Sequence, residues 1–348
     1  MTAPTGPVLI VTMADDSHAD MIVEELGRRH VPVARFHTED FPARSSISLF
    51  PAENGLGWDG IIATQGREIR LSEVRSAWYR RPEEMGVAES VPPGLVDYSI
   101  ANARDVLHAA YALIEHRWLA SPHRLRLAEL KPIQVMAAAR AGLRTPRTTF
   151  SNDFRRVTAF RGELAGQNVS CAVKSLTTTK VMTYDQKIWF PYTTVWSGED
   201  SPDTADSIGL TCAIYQEYMP RSLDIRIVVL GEQAFGACVN PAGDPDAEYD
   251  VRKGDLTRQW KPFDVPSDVA AALSNVTRSL GLRFCSADFI LTPDGELVFL
   301  ELNPNGQWLW LDLYAGLPLV EKFADYFAAG IGPAVQACAY PDERGGDG

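Results

Sequence analysis

The N-terminal part of the chain alternates short apolar runs with one amphipathic segment. Apolar residues fill Val8–Met13 and Val31–Phe36, whereas Ser17–Arg29 has them at helical spacing. This pattern predicts a strand, a helix and a second strand, which is a βαβ unit. The first loop lacks the glycine spacing of a dinucleotide site, so such a site is unsupported. Similar patterns predict three more strands and a long helix, at Ser46–Phe50, Gly60–Thr64, Val74–Arg80 and Asp97–Leu119.

The middle of the chain combines helical patterns with isolated strands. One continuous helix is predicted over Pro122–Ala141, because serine and proline begin it and glycine follows it. A second helix follows a Ser-Asn-Asp capping cluster and runs to about Leu164. Strands are predicted at Val169–Ser175 and Ala213–Met219, and Pro220 stops the second of these.

A β-hairpin is predicted near the C-terminus. The runs Ala287–Leu291 and Leu297–Leu302 are rich in Val, Ile, Leu and Phe, and a Pro-Asp-Gly sequence separates them. A four-residue loop over Pro293–Glu296 would make Thr292 face Leu297. That pairing fixes the register of the whole hairpin.

In this register the hairpin brings three oxygen-bearing side chains to one face. Asp288 falls opposite Glu301, and Asn303 lies on the same face two residues later. Two carboxylates packed with an amide oxygen repel one another unless a cation lies between them, and an all-oxygen set suits Mg²⁺ better than zinc. The alternative is a polar hairpin face in water. The surrounding apolar residues favour the magnesium site.

Composition narrows the class of protein. The chain has 348 residues, of which 45% are hydrophobic, so it can bury a sizeable core, and no apolar run approaches the length of a membrane span. No signal-peptide pattern opens it, and we therefore expect a cytoplasmic protein without a membrane partner. The net charge of −12 argues against a nucleic-acid partner. Five scattered cysteines without a C-x-x-C pair predict reduced core residues.

Several motifs resemble a known family. A strand aspartate followed by a strand Glu-x-Asn resembles the magnesium-binding residues of the ATP-grasp ligases. The longer run Glu301–Trp308 is similar to the ATP-grasp enzymes that macrocyclise ribosomal peptides, the graspetide or microviridin-type synthetases. Two N-terminal runs, Thr12–His18 and Trp78–Pro82, are similar to runs in the same enzymes. We assign no chemistry to His18, and the two arginines of the second run stay open between carboxylate binding and surface ion pairs.

The resemblance implies a fold and its divisions. The chain is expected to be α/β (α+β), with an ATP-grasp fold and an N-terminal α/β pre-ATP-grasp domain. The implied boundaries are 1–118 for that domain, 119–212 for a helix plus the ATP-grasp lid subdomain, 213–335 for the catalytic subdomain and 336–348 for a disordered tail. One departure is clear, since no glycine occurs between Ser175 and Trp196, where many ATP-grasp proteins carry a glycine-rich phosphate loop.

The resemblance also implies that ATP and Mg²⁺ are bound, and by which residues. Lys131 and Lys174 would contact phosphates, although a lysine on an amphipathic helix is ordinarily a solvated charge. Asp224 would bind the ribose hydroxyls. The backbone that would read the adenine edge is that of Glu217, Tyr218 and Met219.

Two arginines complete the expected site. Arg226 would face the phosphates, although by itself an Asp-x-Arg pair is more often a cross-strand salt bridge. Arg252 would lie near the acceptor carboxylate, from a polar, acidic segment predicted to be a mobile loop. An exposed loop arginine is the equal alternative for Arg252.

The activity implied by the resemblance is ATP-dependent carboxylate ligation. Asp or Glu side chains of a ribosomal precursor peptide, with leader and core segments, would become acyl phosphates and close onto Thr or Ser hydroxyls or Lys amines. A homodimer is compatible with this expectation. One alternative is an ATP-grasp ligase that joins a free amino acid to a carboxylate, and a second is an inactive ATP-binding regulator. The intact metal triad counts against the regulator, and the similarity of Asn305–Trp308 counts against the amino-acid ligase.

Overall fold

A computed structural model describes residues 5–53, 55, 57–177, 182–184, 187–189, 192–196, 202–244 and 256–332. Its N-terminal lobe contains two three-stranded sheets, one parallel with the order β2-β1-β6 and one antiparallel with the order β3-β4-β5. The elements are β1 (Val8–Val11), α1 (Ser17–Arg28), β2 (Val33–Phe36), β3 (Ser46–Pro51), β4 (Trp58–Thr64), β5 (Arg67–Arg70), β6 (Ser76–Tyr79) and α2 (Val96–Leu113). The predicted βαβ unit is present.

Two predicted helices have other bounds. Helix α2 ends at Leu113 rather than Leu119, because the chain turns there and the backbone N–H of Leu119 donates to the carbonyl of Ala77 in β6. The helix predicted over Pro122–Ala141 is two helices, α3 (Pro122–Ala128) and α4 (Lys131–Arg140). Pro132 breaks it, since proline cannot donate to the carbonyl four residues earlier and its ring clashes there.

The middle of the chain forms a four-stranded sheet of order β11-β8-β12-β7, which we call the lid sheet, and a two-stranded sheet of β9 and β10. Its elements are β7 (Thr148–Ser151), α5 (Phe154–Ala165), β8 (Cys171–Lys174), β9 (Met182–Tyr184), β10 (Lys187–Trp189), β11 (Thr194–Val195), α6 (Pro202–Leu210) and β12 (Ala213–Glu217). A small core of its own lies under the sheet, and it contains Val157, Leu164, Cys171 and Tyr215.

The C-terminal lobe is built on a five-stranded antiparallel sheet of order β15-β14-β13-β16-β17. Its elements are β13 (Leu223–Leu230), β14 (Gln233–Val239), β15 (Lys261–Phe263), α7 (Ser267–Ser279), β16 (Phe284–Leu291), β17 (Leu297–Asn303), α8 (Leu309–Ala315) and α9 (Leu319–Ala329). One face of the sheet shares a hydrophobic core with the N-terminal lobe, since Ile10 and Trp78 pack with Phe284 and Phe323. No helix in the described part of the chain is both long and apolar enough to cross a membrane.

In the β16–β17 hairpin, the register near the turn differs by one residue from the predicted one, whereas the register from Asp288 to Ser286 agrees with it. Leu291, not Thr292, faces Leu297, so the connection is one residue longer than predicted. The pairing shifts between Phe289 and Asp288, and Leu300 is the extra residue on β17. Thr292 closes the turn instead, since its hydroxyl accepts from the Glu296 N–H at 2.9 Å.

The cysteines within the described residues are all free. Cys171 and Cys285 are buried, as predicted for core residues. The prediction is wrong for Cys212, which is exposed because it lies in the turn between α6 and β12. Cys338 and the predicted tail over 336–348 lie outside the described residues.

Candidate active site

The hairpin brings the three predicted metal-site residues together. Asp288 pairs directly with Glu301 across the two strands, and Asn303 lies two residues further along β17. The Asn303 amide donates to Asp288 Oδ2 and to Glu301 Oε1, at 3.3 Å each. Two acids and one amide therefore converge on one point of the sheet face.

Each acid has a separate cation partner. Arg226 lies opposite Asp288 on the neighbouring strand β13, and its Nη2 donates to Asp288 Oδ2 at 3.1 Å. The Lys131 ammonium forms an ion pair with Glu301. Lys131 comes from a helix rather than from the sheet, so two structural layers hold the acidic pair.

The break between α3 and α4 makes Lys131 the first residue of α4. The side chain of Gln134, which is buried, takes the place of the hydrogen bond that Pro132 cannot donate. Its Nε2 donates to the Ala128 carbonyl at 2.6 Å, and its Oε1 accepts from the Leu302 N–H at 3.0 Å. The same side chain thus attaches the start of α4 to strand β17 and fixes the position of Lys131 over Glu301.

The two carboxyl groups are shifted in opposite directions. Burial raises the pKa of Asp288 to about 6; Arg226 opposes this rise, whereas the Glu301 carboxylate adds to it. Burial also disfavours the charged form of Glu301, but Lys131, with Lys174 and Arg226, outweighs it and lowers the pKa of Glu301 to about 2. Glu301 is therefore the firmly ionised member of the pair.

The donor set fits a hard divalent cation. Two carboxylates and one side-chain amide are oxygen ligands of the kind that Mg²⁺ prefers, and a rotation of the Asn303 amide exchanges its nitrogen for its oxygen. Among the described residues, no cluster of three or more His, Cys, Asp and Glu could hold a metal. The Asn303 amide is therefore needed as the third protein ligand of the cation.

Beside the acids a cavity of about 330 Å³ opens between the lid sheet and the five-stranded sheet. This volume is in the range of small-molecule sites. Leu300, the extra residue of the bulge, and its neighbour Glu301 both line the cavity, so the bulge adds an apolar wall beside an acid. The other lining residues include Ala172, Lys174, Ile214, Glu217, Tyr218, Met219, Asp224, Arg226, Asp288 and Asn303.

The predicted hinge lies at the end of β12. The Tyr218 N–H donates to the Ser170 carbonyl, and the Glu217 N–H to the Arg147 carbonyl, at 2.9 Å each. The Glu217 carboxylate accepts from the Arg147 side chain at 3.2 Å, so it is engaged outside the expected adenine contact. Lys174, from the adjacent strand β8, donates to Gln216 Oε1 at 2.7 Å and lies on the wall of the same cavity.

Asp224 and Arg226 lie on β13 and both line the cavity. Asp224 is 9% exposed and forms an ion pair with Arg221 at 2.7 Å. Arg226 reaches further along the sheet, and its guanidinium lies 5.9 Å from the centre of the Trp310 ring. Arg252 lies outside the described residues.

The paired arginines of the N-terminal lobe have separate environments. Arg80 is 3% exposed and donates to the Asn305 carbonyl at 3.2 Å, whereas Arg81 is exposed. His18 contacts the same C-terminal segment, since its Nε2 lies 3.1 Å from the Trp308 N. The runs Thr12–His18 and Trp78–Pro82 therefore both contact the segment Asn305–Trp308. The sequence patterns do not predict this contact.

Known proteins share the fold of this chain. Residues 7–126 match the family model described as the MvdD pre-ATP grasp domain. The structure is similar to a Chryseobacterium gregarium RiPP-associated ATP-grasp ligase in complex with ADP, and a leader and core peptide, with a TM-score of 0.83 and 21% identity over 95% of this chain and 100% of that one. It is also similar to the macrocyclase MdnC bound with precursor peptide MdnA from Microcystis aeruginosa MRC, with a TM-score of 0.74 and 26% identity over 92% and 98% of the two chains.

A curated sequence relative is human N-acetylaspartylglutamate synthase A, 29% identical over 115 residues, which are 32% of this chain and 29% of that protein. The chain thus spans under a third of the length of this curated relative. The protein has the α/β ATP-grasp fold with an N-terminal pre-ATP-grasp domain of the MvdD type. The predicted fold class and the resemblance to ribosomal-peptide ATP-grasp ligases are confirmed.

Proposed function

We propose that the protein is an ATP-dependent ligase that macrocyclises a ribosomal precursor peptide. The convergence of Asp288, Glu301 and Asn303 beside a cavity with Lys131 and Lys174 carries this proposal. Such a site places oxygen ligands for a divalent cation next to lysine side chains in one cavity. This arrangement suits a nucleoside triphosphate, whose phosphates bind both the cation and the lysines. The similarity to MdnC supports a peptide as the second substrate.

Nucleotide binding follows from the walls of the cavity. The backbone of Glu217 to Met219 would read the adenine edge, and Asp224 would accept from the ribose hydroxyls. Lys174 would lie against the phosphates as a compact point charge. Mg²⁺, held by the two acids and Asn303, would supply charge neutralisation at the phosphoryl oxygens.

The reaction follows from the chemistry of carboxylates. A peptide carboxylate is a poor electrophile, because hydroxide is a poor leaving group at neutral pH. Its oxygen would attack the γ-phosphorus, ADP would leave, and Arg226 would stabilise the negative charge of the transferred group. A hydroxyl or amine of the same peptide would then attack the acyl carbon and expel phosphate. Each ring therefore removes one water from the peptide and consumes one ATP.

Ligation of a free amino acid is the second candidate. It uses the same nucleotide site, and the similarity to N-acetylaspartylglutamate synthase A favours it. The MvdD-type N-terminal domain favours the macrocyclase instead, because the N-terminal runs of this chain resemble those of the peptide-cyclising enzymes. An inactive regulator is disfavoured by the complete set of acids and cations.

Mass spectrometry separates these candidates. The purified protein with ATP, Mg²⁺ and a candidate precursor peptide should give peptide masses lower by whole waters, one per ring, with ADP in proportion. A free amino-acid ligase would raise the mass by a residue, and only when the amino acid is added. Unchanged precursor masses with every candidate, together with amino-acid-dependent ADP release, would overturn macrocyclisation.

A further inference from the structure

The segment that follows the metal-site residues is held by a histidine of the N-terminal lobe. His18 Nε2 accepts from the backbone N–H groups of Trp308 and Leu309, at 3.1 Å each. These groups begin helix α8, where backbone donors lack partners within the helix. His18 therefore caps a helix from 290 positions away in the chain.

This contact requires a neutral imidazole. Two N–H groups point at Nε2, so that nitrogen must be unprotonated and act as the acceptor. Burial, helped by the charges of Arg80 and Arg81, lowers the pKa of His18 to about 4, and Asp16 opposes the decrease. Asp16 lies 3.9 Å from Nδ1 and also accepts from the His18 backbone N–H. The imidazole is thus kept in the form that accepts hydrogen bonds at neutral pH.

Arg80 holds the same segment at a second point. Its Nη1 donates to the Asn305 carbonyl at 3.2 Å, and the Asn305 amide donates back to the Arg80 carbonyl. Asp16 lies 3.9 Å from Arg80 Nε, and the Thr12 hydroxyl donates to Asp16 at 2.7 Å. Arg80 therefore holds Asn305 at two groups, its backbone carbonyl and its side-chain amide.

Packing leaves the segment little freedom between these two points. A Cβ on Gly306 would lie 2.5 Å from Ser286 Cβ, so the backbone is pressed against strand β16. The Trp308 ring is fully buried and stacks on Phe323 with ring centres 4.3 Å apart. Asn303, the amide ligand of the proposed cation site, stands only two residues before Asn305.

We propose that His18 and Arg80 are positioning residues that set the place of Asn303 at the cation site. The proposal rests on the proposed function, since it needs a metal at Asp288 and Glu301. Neither residue contacts the acids themselves; both act through the backbone of residues 303–309. The alternative is that they only join two lobes, in which case their loss would lower stability and leave cation affinity unchanged.

Manganese binding tests the proposal directly. Mn²⁺ replaces Mg²⁺ in a titration followed by electron paramagnetic resonance, with the full-length protein and a non-hydrolysable ATP analogue. His18→Ala should weaken Mn²⁺ binding about tenfold or more, as is usual when a group that orients a metal ligand is lost. His18→Gln should bind Mn²⁺ within about twofold of wild type, because its amide oxygen can take the place of Nε2. Affinity for the analogue without metal should stay the same in both.

Arg80 offers an independent variant, and two exposed residues of the same lobe offer controls. Arg80→Lys keeps the charge but loses the planar guanidinium, and it should weaken Mn²⁺ binding in the same direction as His18→Ala. Arg67→Ala and His116→Ala, at exposed positions of the N-terminal lobe, should bind like wild type. Arg80→Lys also carries the test if His18→Ala does not fold, as judged by circular dichroism.

Asn303→Ala distinguishes failure of this inference from failure of the proposed function. If Asn303→Ala binds Mn²⁺ like wild type, the proposed cation site is wrong. If it binds weakly while His18→Ala and Arg80→Lys match wild type, the cation site stands and the positioning role is wrong. A His18→Gln variant as weak as His18→Ala would also contradict the acceptor role of Nε2.

Discussion

Asp288 and Glu301 lie directly opposite each other, and each is neutralised by a cation from a different element. Arg226 reaches Asp288 from the neighbouring strand, and Lys131 reaches Glu301 from the start of a helix. The four side chains carry no net charge together when all are ionised. The half-buried acidic pair is therefore balanced in charge by the protein's own side chains, which offsets the cost of taking both acids partly out of water.

The first prediction concerns Glu301→Gln. The variant should fold, because its shape is nearly unchanged, and should lose ATP turnover by about a hundredfold or more, since one of two carboxylates leaves the proposed metal site. ADP release with the precursor measures the loss. Glu296→Gln, in the exposed turn of the same hairpin, should retain wild-type turnover. Full ligase activity in Glu301→Gln would remove the metal assignment.

The second prediction concerns Asp224→Asn. A carboxylate that accepts ribose hydroxyls should contribute about 1.5–3 kcal/mol, so nucleotide affinity should fall roughly tenfold to a hundredfold. Calorimetry with a non-hydrolysable ATP analogue measures this. The choice of peptide should not change. Asp264→Asn, at an exposed position, is the control, and an unchanged dissociation constant for Asp224→Asn would place its role elsewhere.

The buried ion pair adds a third prediction. Arg221 lies 2.7 Å from Asp224, so it orients the carboxylate that would meet the ribose. Arg221→Ala should weaken binding of the ATP analogue in the same calorimetric measurement. Combining Arg221→Ala with Asp224→Asn should cost less than the sum of the two single changes, because both act through one carboxylate. Strict additivity would mean that the two residues act separately.

A fourth prediction follows from His18 and pH. The pKa of His18 is about 4 in the folded protein, below the 6.5 of a histidine in an unfolded chain, so the unfolded chain takes the proton first as pH falls. The stabilising contribution is complete above pH 6.5 and is lost between 6.5 and about 4, at up to about 1.4 kcal/mol per pH unit. The melting temperature of wild type should therefore approach that of His18→Gln over this range.

Asp288 titrates in part of the same window but with the opposite sign, because its pKa is raised to about 6 in the folded protein. It is present in both proteins, so the comparison between wild type and His18→Gln removes its effect. A gap in melting temperature that stays constant from pH 7 to pH 4 would contradict the neutral, buried imidazole.

The fifth prediction concerns the precursor peptide. A disordered peptide held by a separate anchor raises the effective concentration of each reacting side chain at the active site. Removing the N-terminal part of the precursor should therefore slow water loss far more than it changes ATP binding. A truncated peptide that reacts as fast as the full one would show that no anchor is needed.

Sequence predicted the pairing of the acids although it misjudged the turn. The four-residue loop was wrong by one residue, and the bulge at Leu300 restored the pairing of Asp288 with Glu301. Hairpin rules alone do not supply this correction. The N–H of Phe299, next to the bulge, donates to the carbonyl of Arg144, which lies far away in sequence. Local patterns carry no information about such a partner.

Two further features show which parts of the structure local sequence patterns can predict. The break before α4 was readable, because Pro132 lies inside the predicted helix and a proline there removes a hydrogen bond. The role of His18 was not readable, since its partners are backbone groups at the other end of the chain. Motif similarity marked both ends of that contact without indicating that they touch.

The hydrophobic core shared by the N-terminal lobe and the five-stranded sheet bears on how the protein can move. Ile10 and Trp78 pack in one core with Phe284 and Phe323, so separating these lobes would expose large apolar surfaces to water. The lid sheet packs on a small core of its own, which shares no residue with that core. If the protein binds a nucleotide as proposed, we expect a hinge motion that carries Lys174 with the lid sheet, whereas Asp288 and Glu301 stay with the five-stranded sheet.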